Sequence, residues 1–153
     1  MAGWSKGRGL LGPLKPLLGD WATGPDGDGS TPAGTMRCTR SFRAFGKGWI
    51  ELDARWEMGD RGTYRELALF GAAADGTLGV FSFTNDGKRS EGRLVDGSDV
   101  HAQAVAFEAQ MPAGLARMIY WPTDDGGPGF HFAVESRTKA GWNRFLRHTY
   151  RPA

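Results

Sequence analysis

Arg40 and Glu66 stand where charges are least expected. Each falls on the apolar side of an alternating segment, Arg40 between Cys38 and Phe42, Glu66 between Tyr64 and Ala68. A charge on an inward face is costly unless it is paired or meets a ligand. Either the two side chains neutralise each other, or Arg40 holds the polar end of a bound molecule. The planar guanidinium fork matches a carboxylate. A slip of one residue in register would instead put both outside. His148 is the third candidate. Period-two spacing puts it on one face with Trp142, Arg144, Leu146 and Tyr150. An inward imidazole there would orient a polar ligand group or ligate a metal. Trp56, Tyr64, Phe81, Phe83 and Tyr120 are the candidate apolar lining.

Other constellations lead nowhere. Asp26, Asp28 and Ser30 mimic the opening of a calcium loop, but Arg37 sits where a bidentate Glu is required. No nucleophile elbow, phosphate loop or dinucleotide fingerprint is present. His101 and His131 are scattered and lack the spacing of a metal site. Cys38, the single cysteine, has no partner for an internal disulfide and reads as a small buried residue. The sequence therefore nominates ligand-binding residues, with no catalytic residue and no metal.

These side chains need a scaffold, and glycine punctuation describes it. Asp75-Gly76, Asp86-Gly87 and Asp96-Gly97 recur about ten residues apart, with strand-like segments between them. Asp-Gly supplies the positive-φ positions of tight hairpins, so the repeat implies an antiparallel meander. Alternation of apolar and polar residues is clean from residue 48 to 58, where Ile50, Leu52, Ala54, Trp56 and Met58 oppose Trp49, Glu51, Asp53, Arg55 and Glu57. Similar segments run from 34 to 42, 63 to 73, 78 to 85, 88 to 95, 100 to 110, 114 to 121, 130 to 135 and 142 to 150. Residues 10 to 18 place Leu10, Leu11, Leu14, Leu17 and Leu18 at helical spacing, limited to a turn or two by Pro13 and Pro16. The expected fold is all-β: an up-and-down antiparallel barrel of about ten strands behind a short N-terminal helix or turn. Residues 1 to 9 are expected to be disordered, and 10 to 153 to form one domain.

The segment Leu17-Leu18-Gly19-Asp20-Trp21 opens that meander with Gly-x-Trp after a short helix. It resembles the calycins: lipocalins, fatty-acid-binding proteins and nitrobindin-like barrels. The run from Gly62 to Gly71, followed by Asp75-Gly76, Phe81-Ser82-Phe83 and Asp86-Gly87, looks like a bacterial family of uncharacterised lipocalin-like domains. The likeness covers residues 10 to 151 in pattern. It implies a barrel closed at one end by Trp21. From the nitrobindin-like members it also implies haem held by a histidine on a late strand, here His148.

Composition bounds the partners. The net charge of +2 is too small to imply nucleic acid. No apolar run approaches the ~18 residues of a membrane span. Pro13, Lys15 and Pro16 interrupt the stretch that a signal peptide would need. The expectation is a soluble cytoplasmic protein that binds a small apolar or amphipathic molecule inside the barrel, through Arg40, Glu66 or His148 and the aromatic residues. Alternatives are a haem protein, an enzyme using Glu66 on a lipid-like substrate, and a filled barrel acting as a scaffold or homodimer module.

Overall fold

The computed structural model describes residues 4–23, 30–31, 34–35 and 37–153. Asp26, Asp28 and Met36 lie outside the described residues. A short 3-10 helix, Gly12–Leu17, precedes β1 (Gly19–Thr23). Ser30–Thr31 (β2) and Gly34–Thr35 (β3) pair with each other. Then follow β4 (Arg37–Phe45), β5 (Trp49–Glu57), β6 (Thr63–Ala72), β7 (Leu78–Thr84), β8 (Arg89–Val95), β9 (Val105–Met111), β10 (Gly114–Pro122), β11 (Phe130–Thr138) and β12 (Gly141–Pro152). From β4 to β12 each strand pairs antiparallel with the next, and β1 joins β4 to β12. The result is a closed up-and-down barrel of ten strands, which leaves no free edge. No helix among the described residues is long and apolar enough to cross a membrane.

Two of the three Asp-Gly pairs make hairpins. In each, a hydrogen-bonded turn ends in a glycine at positive φ, Gly76 at +83° and Gly87 at +89°. The flanking pairs close at Ala73–Thr77 and Thr84–Lys88, so each loop has three residues rather than two. The Asp75 carboxylate accepts hydrogen bonds from the backbone and hydroxyl of Thr77. Asp96-Gly97 behaves differently. Gly97 is not at positive φ, and it begins a connector, 96–104, that folds over the outside of the barrel. Val100 and Ala104 there, with Val95 at the end of β8, cover Ala106, Ile119, Trp121 and Ala133, a second small core on the outer face. A Cβ on Gly97 would lie 2.9 Å from Ile119 Cδ1, so close packing explains this glycine. The expected strand from residue 100 therefore starts only at Val105.

An ion network pins the connector. Arg117, itself buried, donates to Glu135 at 2.7 Å and to both oxygens of Asp99 at 3.0 and 2.7 Å. Its guanidinium lies 4.3 Å from the Trp142 ring centre. From Trp4 onward the N-terminal segment touches the same connector. Trp4 Nε1 donates to the Gln103 carbonyl, and Lys6 Nζ to that of Ala104.

The barrel is plugged at the end where the 3-10 helix enters β1. In such a helix residues three apart share a face, which selects Leu14 and Leu17 for the core and leaves Leu10 and Leu18 exposed. Trp21 donates from Nε1 to the Leu17 carbonyl at 2.7 Å. Its ring meets Phe130 edge-on at 5.1 Å, and Phe42 packs on both Phe70 and Phe130.

Candidate functional site

The interior changes character along the barrel. Next to the aromatic plug lies a packed polar layer, and beyond it, towards the opposite end, a cavity of about 340 Å³. That volume is at the low end of the range of about 300–1,000 Å³ for small-molecule sites.

The polar layer forms because a small residue leaves room. Ala54 of β5 lies in register with Arg40 of β4 on one side and Glu66 of β6 on the other. Its methyl group lets the two long side chains meet: Arg40 Nη2 is 3.6 Å from Glu66 Oε1. The same Nη2 donates to the Tyr120 hydroxyl oxygen at 2.8 Å. Glu66 Oε2 accepts the Ser82 hydroxyl proton. Arg40 is wholly buried, and the described residues supply no hydrogen-bond acceptor for its Nε and Nη1. Its guanidinium carbon lies 4.1 Å from the Phe132 ring centre, 5.5 Å from that of Tyr120 and 5.6 Å from that of Trp56. Those ring faces, together with Glu66, stabilise the buried cation. Burial pushes the Tyr120 phenol up to about 12 despite the opposing pull of Arg40. Tyr150 shifts in the same direction for the same reason. Cys38 is also pushed up to about 12 by burial.

The cavity has aromatic and thioether walls, including Trp56, Tyr64, Phe107, Met118 and Phe132. Trp56 and Tyr64 have ring centres 5.4 Å apart. Glu66 and Ser82 bring the polar layer to its surface. Thr84, Lys88, Arg89 and Ser90, around the β7–β8 hairpin, also border it.

Among the residues nominated from sequence, Trp56, Tyr64 and Glu66 line the cavity. Arg40 and Tyr120 lie in the packed layer behind it, fully buried and not on its wall. Phe81 and Phe83 need correction. Phe83 is 52% exposed and pairs across strands with Leu67, itself 44% exposed. Phe81 packs on the outer Trp49 ring at 5.9 Å. The inner face of β7 is Leu78, Val80 and Ser82, because Ser82 pairs with the inward Ala68. Both faces of this strand carry apolar residues, so alternation alone does not choose between them. Ser82, the hydrogen-bond partner of Glu66, was missed for the same reason. Its signal is a small polar residue between two phenylalanines.

His148 faces inward, but the face drawn for it from sequence is half wrong. The β11–β12 register runs Val134–Leu146 and then Glu135–Arg144, skipping one residue of β12. That bulge reverses the facing. Leu146, His148 and Tyr150 keep the inward side, while Trp142 and Arg144 join the outer network with Arg117 and Glu135. His148 is fully buried, with Nδ1 3.1 Å from the Tyr150 hydroxyl. Its ring packs against Phe132 and Tyr150. It does not border the cavity. These surroundings do not fit a haem, which needs open space in front of the ligating imidazole. Among the described residues no group of three His, Cys, Asp or Glu side chains could hold a metal ion.

The closed ten-strand antiparallel barrel is consistent with the broad calycin, lipocalin-like class. No protein-family model and no curated protein sequence matches this chain.

Proposed function

We propose that the protein binds a small apolar or amphipathic molecule in the barrel interior. The carrying observation is a cavity of about 340 Å³ with aromatic walls and one carboxylate–hydroxyl pair, Glu66 with Ser82, at its surface. Apolar surface buried against such walls contributes roughly 25 cal/mol per Å² before ordering costs. The few polar groups then orient what is bound. The rigid plug at the far end, with Leu14, Leu17 and Trp21 in the main core, supports access from the cavity end alone. The position of Gly19-Asp20-Trp21 beside that plug also supports kinship with bacterial lipocalin-like domains.

Native mass spectrometry of freshly purified protein tests the reading, together with titration of apolar probes followed by tryptophan fluorescence. A co-purified small mass, or saturable quenching that Trp56→Phe diminishes, is expected. A protein that carries no added mass and gives no saturable response to any apolar probe would count against it.

A further inference from the structure

The atoms that reach the cavity specify the ligand more narrowly, given the reading of the interior as a binding site. Glu66 and Ser82 border the cavity, whereas Arg40 lies behind Trp56 and Phe132. The Ser82 hydroxyl spends its one proton on Glu66 Oε2, so its oxygen offers only lone pairs to a ligand. A carboxylate is likewise an acceptor, with about four lone-pair sites, of which Ser82 takes one. This part of the wall therefore accepts hydrogen bonds and does not donate them.

Charge narrows the choice further. Arg40 is permanently cationic, and Glu66 is the carboxylate beside it, 3.6 Å away. The pair is balanced as it stands. A ligand carboxylate here would face Glu66 with like charge. A ligand ammonium would place a second cation beside Arg40 with one carboxylate to share. Either leaves an uncompensated charge in a desolvated site. Of the other cations that border the cavity, Lys88 is 80% exposed and sits 3.8 Å from Asp86, Arg89 is exposed to solvent, and Arg117 is paired with Asp99 and Glu135, so each offers little to an anion.

We propose that the ligand is an uncharged apolar molecule bearing a hydroxyl group, an alcohol or phenol, whose one proton is donated to the Glu66 carboxylate or to the Ser82 oxygen beside it. Such a donor uses a free lone pair and leaves the Arg40–Glu66 balance intact.

The test compares n-decanol, decanoate and decylammonium at neutral pH by calorimetry and tryptophan fluorescence, with wild-type protein and Glu66→Gln. Wild-type protein should bind n-decanol at least about tenfold tighter than either charged analogue. Glu66→Gln removes the like charge at the wall and leaves the Arg40 charge behind it uncompensated, so decanoate should gain at least about tenfold in affinity. Decanoate or decylammonium binding as tightly as n-decanol to the wild type would overturn the hydroxyl assignment, leaving the interior as a binding site. A folded Glu66→Gln with unchanged decanoate affinity would overturn the role of Glu66. If no probe binds, the binding-site reading and the ligand assignment fail together. The wild-type comparison is decisive alone if the variant does not fold.

Discussion

Arg40 and Glu66 sit two strands apart and meet over Ala54, with Nη2 and Oε1 separated by 3.6 Å. Removing one member strands the other charge in the interior. Arg40→Met or Glu66→Leu should each cost about 3–5 kcal/mol in urea unfolding. The double variant should cost less than the two single losses combined, because no lone charge remains. Additive losses would show that the two residues act independently.

Ala54 is predicted to be indispensable for its size. Ala54→Leu fills the gap over which Arg40 and Glu66 meet. Overpacking of a tight interior costs typically about 1–3 kcal/mol. The variant should lose that much stability, and a double-mutant cycle with Arg40→Met should show strong coupling. Tolerance without loss would mean that the ion pair does not depend on the small residue.

Gly97 and Gly76 share an Asp-Gly motif but should respond differently to alanine. At Gly76 the backbone φ of +83° is strained for an L side chain, at about 1–2 kcal/mol, with open space around it. At Gly97 the new methyl would meet Ile119, Ala106 and Ala104 at 2.9 to 3.2 Å. Gly97→Ala should loosen the 96–104 connector and raise hydrogen exchange there. Gly76→Ala should leave that connector protected.

The Arg117 network should make stability fall in acid. Hydrogen bonds from Arg117 hold the Asp99 carboxyl below the usual range, against an opposing desolvation effect. A depressed folded-state pKa adds stability above the unfolded value of about 3.9, and this is lost as pH drops through the lower folded value. Because Asp99 is largely exposed, the effect is about 1 kcal/mol or less. Wild type should therefore exceed Asp99→Asn in stability at neutral pH, with the gap closing below about pH 4. A gap that persists in stronger acid would exclude the ionic origin.

Cys38 should resist modification while the barrel is intact. Its thiol is buried and pushed up to about 12, and the thiolate is the nucleophile. Iodoacetamide at mildly alkaline pH should label unfolded protein but not native protein, as read by mass. With a folded pKa raised above the unfolded value near 9, this thiol favours the native state below that value. The contribution is lost as pH rises from about 9 towards 12. Rapid labelling under native conditions would contradict the burial.

Much of this was readable along the chain. Period-two alternation put Arg40 on one face with Cys38 and Phe42 and Glu66 on one face with Tyr64 and Ala68, and left open whether that face was inside. Turn chemistry at Gly76 and Gly87 specified hairpins from local backbone preference alone. The number of strands and the inward His148 followed from the same local signals, whereas of the five leucines placed on one N-terminal face Leu14 and Leu17 are buried and Leu10 and Leu18 are exposed.

Tertiary structure decided the rest. Alternation says which residues share a face but not which face is inside. For β7 only pairing with β6 turned Ser82 inward and Phe81 and Phe83 outward. A one-residue bulge in β12 sent Trp142 and His148 to opposite sides, and bulges carry no reliable local signature. The third Asp-Gly pair became a cover for the outer core because Ile119 and Ala106, distant in sequence, pack against Gly97. Depth within the barrel also depends on strand tilt and closure. That is why Arg40, Tyr120 and His148 lie behind the cavity, while Glu66 and Ser82 stand at its surface.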